Sequence, residues 1–156
     1  TDVWQLEVDL DELMGEEVLV RNIEFPARET ISISILETTS KWANITLQGV
    51  TRLGNRSDVA KLTLGRVEAT LAQTLKSKLG RQKLKSDFIQ VTAENLWITG
   101  ISIALPFKDS EGEKLRVLRY DVDTREWEEV KNSFVDKTDK TVNFTSMTFG
   151  IFAVVE

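Results

Sequence analysis

Aspartates between two predicted strands are the clearest candidates for cation ligands in this chain. Asp121 and Asp123 lie in the run Asp-Val-Asp-Thr-Arg-Glu over 121–126, and their oxygens could bind Ca²⁺. The run lacks the central glycine and the third acidic position of an EF-hand loop, and an Asp-rich turn is the commoner explanation because Asp accepts hydrogen bonds from turn amides. The sequence therefore predicts either a calcium site at Asp121 and Asp123 or such a turn. Asp136 and Asp139 would share the site if both turns lay at one end of the fold.

A second group of carboxylates surrounds Trp127. Glu126, Glu128 and Glu129 suggest the carboxylate pair of a glycosidase. Neighbours along a strand alternate faces, so only Glu126 and Glu128 could share one. The same pattern is equally typical of a solvated strand face.

The chain contains no histidine and no cysteine. Ser-His-Asp triads, Cys-His pairs, His-ligated zinc, thiolate metal sites and disulfides are therefore excluded. Catalysis would have to come from carboxylates, Lys, Tyr or Ser/Thr, and no constellation of these stands out. We predict no catalytic residue, no enzymatic activity and, apart from the possible calcium, no cofactor.

Charge and hydropathy limit the classes of partner. A formal net charge of −5 argues against nucleic acid and anionic membranes as partners, and no run approaches the roughly 20 apolar residues of a membrane span. A protein partner is the first expectation. One basic run stands out, and it consists of Lys76, Lys78, Arg81, Lys83 and Lys85. It is interpreted as cations at the negative end of a helix dipole followed by a solvated linker, with a binding patch as the alternative.

Three glycosylation sequons begin at Asn44, Asn55 and Asn143. They would matter only if a glycosylating cell secretes the protein. Asn55 is the predicted acceptor because it lies in a turn, whereas the other two lie inside predicted strands.

Aromatic residues raise the question of a carbohydrate-binding platform. Trp4, Trp42, Trp97, Trp127 and Tyr120 could stack on sugars if they were exposed in a row. Each also lies where an alternating strand would point into a core. We predict core packing for at least three of the four tryptophans, because burying such large rings is strongly stabilising.

Strands are predicted along most of the chain. Apolar and polar residues alternate, or short apolar runs lie between turns, at 3–10, 18–25, 30–35, 42–50, 88–92, 96–99, 101–105, 115–120, 127–130, 141–146 and 151–155. With 156 residues and 41% apolar content, the chain is long enough for one domain over 1–156. The predicted fold is a mostly β, antiparallel β-sandwich.

One helical segment interrupts this pattern. The apolar residues Leu64, Val67, Leu71, Leu75 and Leu79 are spaced three or four apart, and Gly80 follows as a C-terminal cap. We predict the main α-helix at about 64–79, within a helical insertion near 58–80.

The C-terminal third carries a recognisable order of strands: Ile101-Ser-Ile-Ala-Leu-Pro106, Leu118-Arg-Tyr-Asp121, Trp127-Glu-Glu-Val130 and Phe149-Gly-Ile-Phe-Ala-Val-Val155. It resembles the closing strands of β-sandwich modules in microbial cell-surface and S-layer-associated proteins. More distantly, it is similar to the end of the GAIN domain of adhesion receptors, a family that cleaves its own chain before a Thr in His-Leu-Thr.

Ser146-Met147-Thr148 aligns with that tripeptide. The hydroxyl nucleophile is present, but the histidine is not, and the paired cysteines of that family are missing too. A Thr hydroxyl without a neighbouring base is a poor nucleophile, so we expect no self-cleavage at Thr148.

The sequence favours a non-enzymatic structural or adhesive module of a larger protein that is surface-exposed or secreted. Such a module would present sandwich loops or edge strands to a protein partner. Three alternatives stay open: a cytoplasmic protein-interaction domain of a scaffold complex, a carbohydrate-binding module, and a self-cleaving domain of the GAIN type.

Overall fold

A computed structural model describes residues 3–5, 19–25, 27, 31–39, 43–52 and 58–156. The strands and helix in these residues are β1 (Val3–Gln5), β2 (Leu19–Phe25), β3 (Ser32–Thr39), β4 (Asn44–Arg52), β5 (Ala60–Arg66), α1 (Ala69–Ser77), β6 (Ile89–Glu94), β7 (Leu96–Trp97), β8 (Gly100–Pro106), β9 (Arg116–Asp121), β10 (Glu126–Val130), β11 (Phe134–Asp136), β12 (Thr141–Ser146) and β13 (Gly150–Val155).

The strands form two sheets. The first sheet has the order β1-β3-β4-β8-β12-β11, with β7 beside β4, and the second has the order β10-β9-β13-β6-β5-β2. Pairing is antiparallel except between β1 and β3, which run parallel. Since β2 lies in the second sheet, the chain crosses between sheets before β3, and such a crossover permits a parallel pair. The predicted mostly β, antiparallel sandwich is confirmed, with this one parallel pair as an exception.

The main core lies between the sheets. On β8, Ile101, Ile103 and Leu105 are buried while their neighbours are half-exposed, as the period of two predicts. The rings of Phe144 on β12 and Phe152 on β13 meet across the core with centroids 5.3 Å apart. The sandwich is thus closed by the C-terminal strands.

A second apolar cluster lies on the other face of the second sheet, where α1 covers β9 and β13. Leu75 and Leu79 pack there with Phe88, Ile151 and Val155. Strand β13 therefore has a covered surface on both sides, and all six of its residues are buried. This explains why its sequence is a continuous apolar run rather than an alternating one.

The helix begins later than predicted. It spans Ala69–Ser77, whereas residues 60–66 form β5, so the prediction of a helix from residue 64 is wrong at its start. Leu62 and Leu64 are buried at a period of two, and Leu64 pairs with Val91 of β6. Pairing with both neighbouring strands outweighs the helical spacing that Leu64 happens to share. The helix ends at Ser77 with Lys78 as its C-cap, so the predicted end at residue 79 with Gly80 as the cap is wrong by two residues. Gly80 has a φ of +66° and lies in the turn that follows the cap.

Most of the other predicted strands are confirmed to within a few residues, and β12 has the predicted bounds. The prediction missed β11, which has three residues and too little alternation to be recognised. The predicted strand over 3–10 is described only at β1, and its remainder lies outside the described residues. In the described part of the chain, no helix is long and apolar enough to cross a membrane.

Candidate functional site

Asp121 caps the β9–β10 turn with its own side chain. Its Oδ1 accepts hydrogen bonds from the backbone N–H groups of Asp123, at 2.8 Å, and Thr124, at 3.3 Å. These two bonds, and more weakly the Arg119 guanidinium 3.6 Å from Oδ2, lower the pKa of Asp121 below its usual value. The expected role of Asp in accepting bonds from turn amides is confirmed. The calcium site at Asp121 and Asp123 stays a prediction, and a rise in melting temperature on adding calcium would support it.

Asp136 builds a second turn of the same design between β11 and β12. Its Oδ1 accepts hydrogen bonds from the N–H groups of Thr138 and Asp139, both at 3.0 Å. The last residue of each turn, Arg125 and Lys140, has a positive φ. Both hairpin turns therefore begin with an aspartate that accepts hydrogen bonds from turn amides and end with a residue in the left-handed backbone conformation.

The two turns lie at opposite ends of the sandwich. Tyr120, beside the first turn, pairs with Ile151 at the start of β13. At the second turn, Phe107 donates its N–H to Lys140 O. The next residue, Lys108, donates its N–H to Lys85 O, and Lys85 donates its own N–H to Val154 O. This series of bonds places the second turn near the end of β13. Strand β13 has six residues and runs for about 17 Å. The four aspartates therefore do not share one site, and no group of three or more acidic residues that could hold a metal occurs among the described residues.

The glutamates of β10 form ion pairs across the sheet. Arg119 Nη2 lies 2.9 Å from Glu128 Oε1, and Arg116 Nη1 lies 3.4 Å from Glu129 Oε1. All three glutamates of this strand are exposed on the edge of the second sheet. Charged residues on an edge strand discourage pairing with another chain.

The two tryptophans with described side chains have different environments. Trp127 is half-buried, with ring centroids 5.2 Å from Tyr120 and 5.9 Å from Phe88. Trp97 is 50% exposed and does not pack in the core, which the prediction of at least three core tryptophans allows for one of the four. The reason is its place on the two-residue strand β7, where it pairs with Thr51 on the outer face of the first sheet. The side chains of Trp4 and Trp42 lie outside the described residues.

The sequons are only partly described. Asn55, the predicted glycosylation site, lies outside the described residues. Asn44 and Asn143 lie on β4 and β12 and both pair with Ala104 of β8, so they are in strands as expected.

The Ser146-Met147-Thr148 tripeptide forms a tight turn after β12. The Ser146 hydroxyl donates a hydrogen bond to Thr148 O at 2.8 Å and accepts one from Thr148 N–H at 3.2 Å. Ser146 is buried and Thr148 is exposed. The Ser146 hydroxyl thus holds the turn that contains the Met147–Thr148 peptide bond.

Comparison with known proteins assigns this chain to no family. No protein-family profile matches its sequence. No significant match is found among curated proteins either. The function is therefore argued from the surface chemistry of the described residues.

Exposed apolar side chains gather at one end of the sandwich, at the four segments 58–59, 95–99, 121–126 and 146–149, which we call the loop end. Among the described residues, the exposed large apolar side chains are those of Val59 at 48%, Trp97 at 50%, Val122 at 47%, Met147 at 77% and Phe134 at 66% exposure. All but Phe134 belong to the loop end.

Strand register places these segments together. Lys61, two residues after Val59, pairs with Glu94 at the end of β6, and Asn95 leads from there to Trp97 on β7. Met147 lies in the connection from β12 to the start of β13. The start of β13 pairs with the end of β9, from which Val122 follows. The loop end therefore presents apolar side chains from both sheets.

Hydrogen bonds hold two of these segments in place. Asn95 Nδ2 donates to Val59 O at 2.9 Å. The backbone N–H and the hydroxyl of Thr99 both donate to Gln48 O, at 2.8 and 2.9 Å. Together with the turns capped by Asp121 and Ser146, these bonds fix the backbone on which the exposed side chains stand.

Proposed function

We propose that this chain is a non-enzymatic interaction module of a larger surface-exposed or secreted protein, and that it contacts a protein partner through the loop end. The observation that carries the proposal is the gathering of Val59, Trp97, Val122 and Met147 at one end of the sandwich. A single exposed apolar residue is ordinary, and we take four of them at one end of the sandwich as the mark of an interaction site.

The residue types support a protein partner. Aromatic residues and methionine are enriched in the centres of protein interfaces, and the loop end offers Trp97 and Met147. Its backbone is already held by hydrogen bonds that Asn95 and Thr99 donate and that the Asp121 carboxylate accepts. A surface that is ordered before binding loses less conformational entropy when the partner arrives.

The test compares a double variant of the whole chain with a single control variant. Trp97→Ser combined with Met147→Ser removes the two largest exposed side chains of the loop end, and Phe134→Ser removes a comparably exposed side chain elsewhere. Surface proteins of the source cell are cross-linked to each variant and identified. We expect a partner that wild type and Phe134→Ser retain and that the double variant loses, with equal melting temperatures for all three. Equal recovery with the double variant would contradict the loop end as the binding surface.

The location is tested separately. An antibody against the folded chain should label intact cells or the culture medium if the protein is surface-exposed or secreted. Labelling only after the cells are opened would favour the cytoplasmic scaffold domain instead.

A carbohydrate-binding module is the second candidate, because Trp97 is half-exposed and could stack on a sugar ring. A polysaccharide that binds there should change the fluorescence of wild type but not of Trp97→Phe, in which Trp127 still reports. No change with any polysaccharide of a broad panel would argue against this candidate.

A further inference from the structure

A groove separates the first half of α1 from the segment Leu84–Phe88, on the outer face of the second sheet. It has a volume of about 300 Å³, and Val67 and Phe88, both buried, lie at its base. The groove exists because α1 presents Ala69 and Ala72 on this side, and their short side chains leave a gap. Leu71 and Leu75, on the other side of the helix, fill the space above the sheet instead.

Backbone hydrogen bonds fix the base and the far wall of the groove. At the base, Val67 donates its N–H to Phe88 O at 3.1 Å. On the far wall, the Ser86 hydroxyl accepts a hydrogen bond from Val154 N–H at 2.8 Å, and Lys85 N–H donates to Val154 O at 2.8 Å. Since these bonds hold the base and the far wall, and Leu75 and Leu79 pack the helix wall on the second sheet, the groove is formed without a ligand.

A basic segment leads from the helix wall of the groove to its far wall. The segment 69–86 contains the basic run from Lys76 to Lys85, five cations, and no Asp or Glu, in a chain whose formal net charge is −5. In the described part of the chain, none of the four ion pairs involves these five cations. Lys85 Nζ donates instead to the backbone carbonyl of Asp109, and Lys78 Nζ lies 5.8 Å from the centre of the Tyr120 ring. Lys76 lines the groove itself, as does one acid, Asp87.

We infer that this groove binds an acidic peptide segment, with one apolar side chain seated against Ala69, Ala72 and Phe88 and carboxylates beside Lys76 and the basic residues that follow it. The apolar walls supply the anchor, and Lys76 with the cations that follow it, which are in none of the ion pairs found among the described residues, supplies electrostatic complementarity. Because the base of the groove consists of two apolar side chains, the site requires an apolar side chain in its ligand, which a purely electrostatic patch would not. The groove lies away from the loop end, since Arg66 at its edge and Leu84 at its wall lie toward the opposite end of the second sheet. This inference therefore stands or falls independently of the proposed function.

The experiment measures fluorescence anisotropy of labelled peptides titrated with the whole chain. The probe has the sequence Glu-Glu-Leu-Glu-Glu-Phe-Glu-Glu, and an all-Glu peptide of equal length tests the need for the apolar anchor. We expect the probe to bind about tenfold more tightly than the all-Glu peptide, a difference of about 1.4 kcal/mol. Equal affinity for the two peptides would overturn the inference.

Three variants locate the site. Ala69→Leu fills the groove from an exposed helix position, and Lys76→Glu reverses the charge on its rim. Lys131→Glu is the control, because exposed Lys131 follows β10 at the other edge of the second sheet. We expect the first two to weaken binding about fivefold or more and the control to change it less than twofold, an ordinary range for truncating one contact. Unchanged binding by Ala69→Leu, with its melting temperature preserved, would overturn the groove as the site.

Two further probes separate the classes of ligand. Heparin and vesicles containing anionic lipid could also be attracted by five cations. If either binds the chain more tightly than the probe, and Lys76→Glu but not Ala69→Leu abolishes that binding, the acidic peptide is the wrong ligand. Weak binding of both, lost in moderate salt while the probe stays bound, would support it.

Discussion

The indole of Trp127 lies edge-on to the phenol ring of Tyr120, its cross-strand partner, with ring centroids 5.2 Å apart. The pair joins the exposed edge strand β10 to the cluster under α1. The indole N–H is buried and has no hydrogen-bond partner among the described residues.

We expect Trp127→Ala to lower the free energy of unfolding by about 3 kcal/mol, because it removes ring contacts with Tyr120 and Phe88. Trp127→Phe should cost at most about 1.5 kcal/mol, since it keeps an aromatic ring and removes an unpaired polar group. Urea unfolding of both variants measures this. Equal losses in the two variants would contradict the stabilising role of the ring contacts with Tyr120 and Phe88.

Gly150 begins β13 where the strand passes close to β9. A Cβ added there would lie 2.9 Å from Tyr120 O and 2.7 Å from Arg119 Cγ, and the carbonyl cannot move without breaking the sheet. We expect Gly150→Ala to destabilise the fold by about 1–3 kcal/mol.

Gly100, at the start of β8, is the matched control for Gly150. Its nearest neighbour is Gln48 Oε1, 3.8 Å from an added Cβ, which is ordinary contact. Gly100→Ala should therefore unfold at nearly the wild-type urea concentration. A control as unstable as Gly150→Ala would show that loss of glycine itself, rather than the close approach, is responsible.

The turn of Asp121 predicts a pH dependence of stability. Hydrogen bonds from Asp123 N–H and Thr124 N–H lower the pKa of Asp121 in the folded chain. The ionised carboxylate therefore stabilises the fold above the pKa of an unfolded aspartate, about 3.9, and this contribution is lost as the pH falls through the lower folded pKa. Asp121→Asn keeps an acceptor but not the charge, so the stability gap to wild type should narrow as the pH is lowered from 7 to about 2.

Asp139→Asn provides the control for that titration. Asp139 contributes its backbone N–H to the other hairpin turn, where Asp136 is the acceptor. This substitution removes a carboxylate without removing a turn acceptor, so a pH-dependent gap found for Asp121→Asn and not for Asp139→Asn is assigned to the hydrogen bonds that Asp121 accepts. If the Asp121→Asn gap stayed constant down to pH 2, the bonds to the ionised carboxylate would not be stabilising the turn.

Thr148 allows a direct test of self-cleavage. The Ser146 hydroxyl is bonded to both the N–H and the carbonyl of Thr148, and this arrangement supplies no base for the Thr148 hydroxyl. We expect purified chain held at neutral pH to show one species with the mass of the whole chain. A fragment from Thr148 to Glu156 that appears in wild type and not in Thr148→Ala would contradict this.

Local patterns were enough to predict the sandwich. The alternation in Ile101–Leu105, the Asp at the start of each hairpin turn, and the spacing of Leu71, Leu75 and Leu79 before Gly80 depend on neighbours within a few residues. Burial of one face and bonding of turn amides act over the same short range. These features could therefore be predicted from the sequence.

Long-range pairing decided what local patterns left open. Leu64 fits a helical spacing, but pairing of β5 with β2 and β6 makes it part of a strand. Trp97 lies in a predicted strand where a core position is expected, but β7 has only two residues and leaves its side chain exposed. Only the order of strands in the sheets separates Asp121 from Asp136.

The same long-range pairing brings Val59, Trp97, Val122 and Met147 together at one end, although nearly 90 residues of chain separate the first from the last. The alternation within a strand says which face a side chain takes, but the partner of each strand depends on the packing of the whole core. The sequence by itself determined most of the segments that become strands, through alternation that acts over a few residues, whereas the tertiary structure determined β5 and which turns meet.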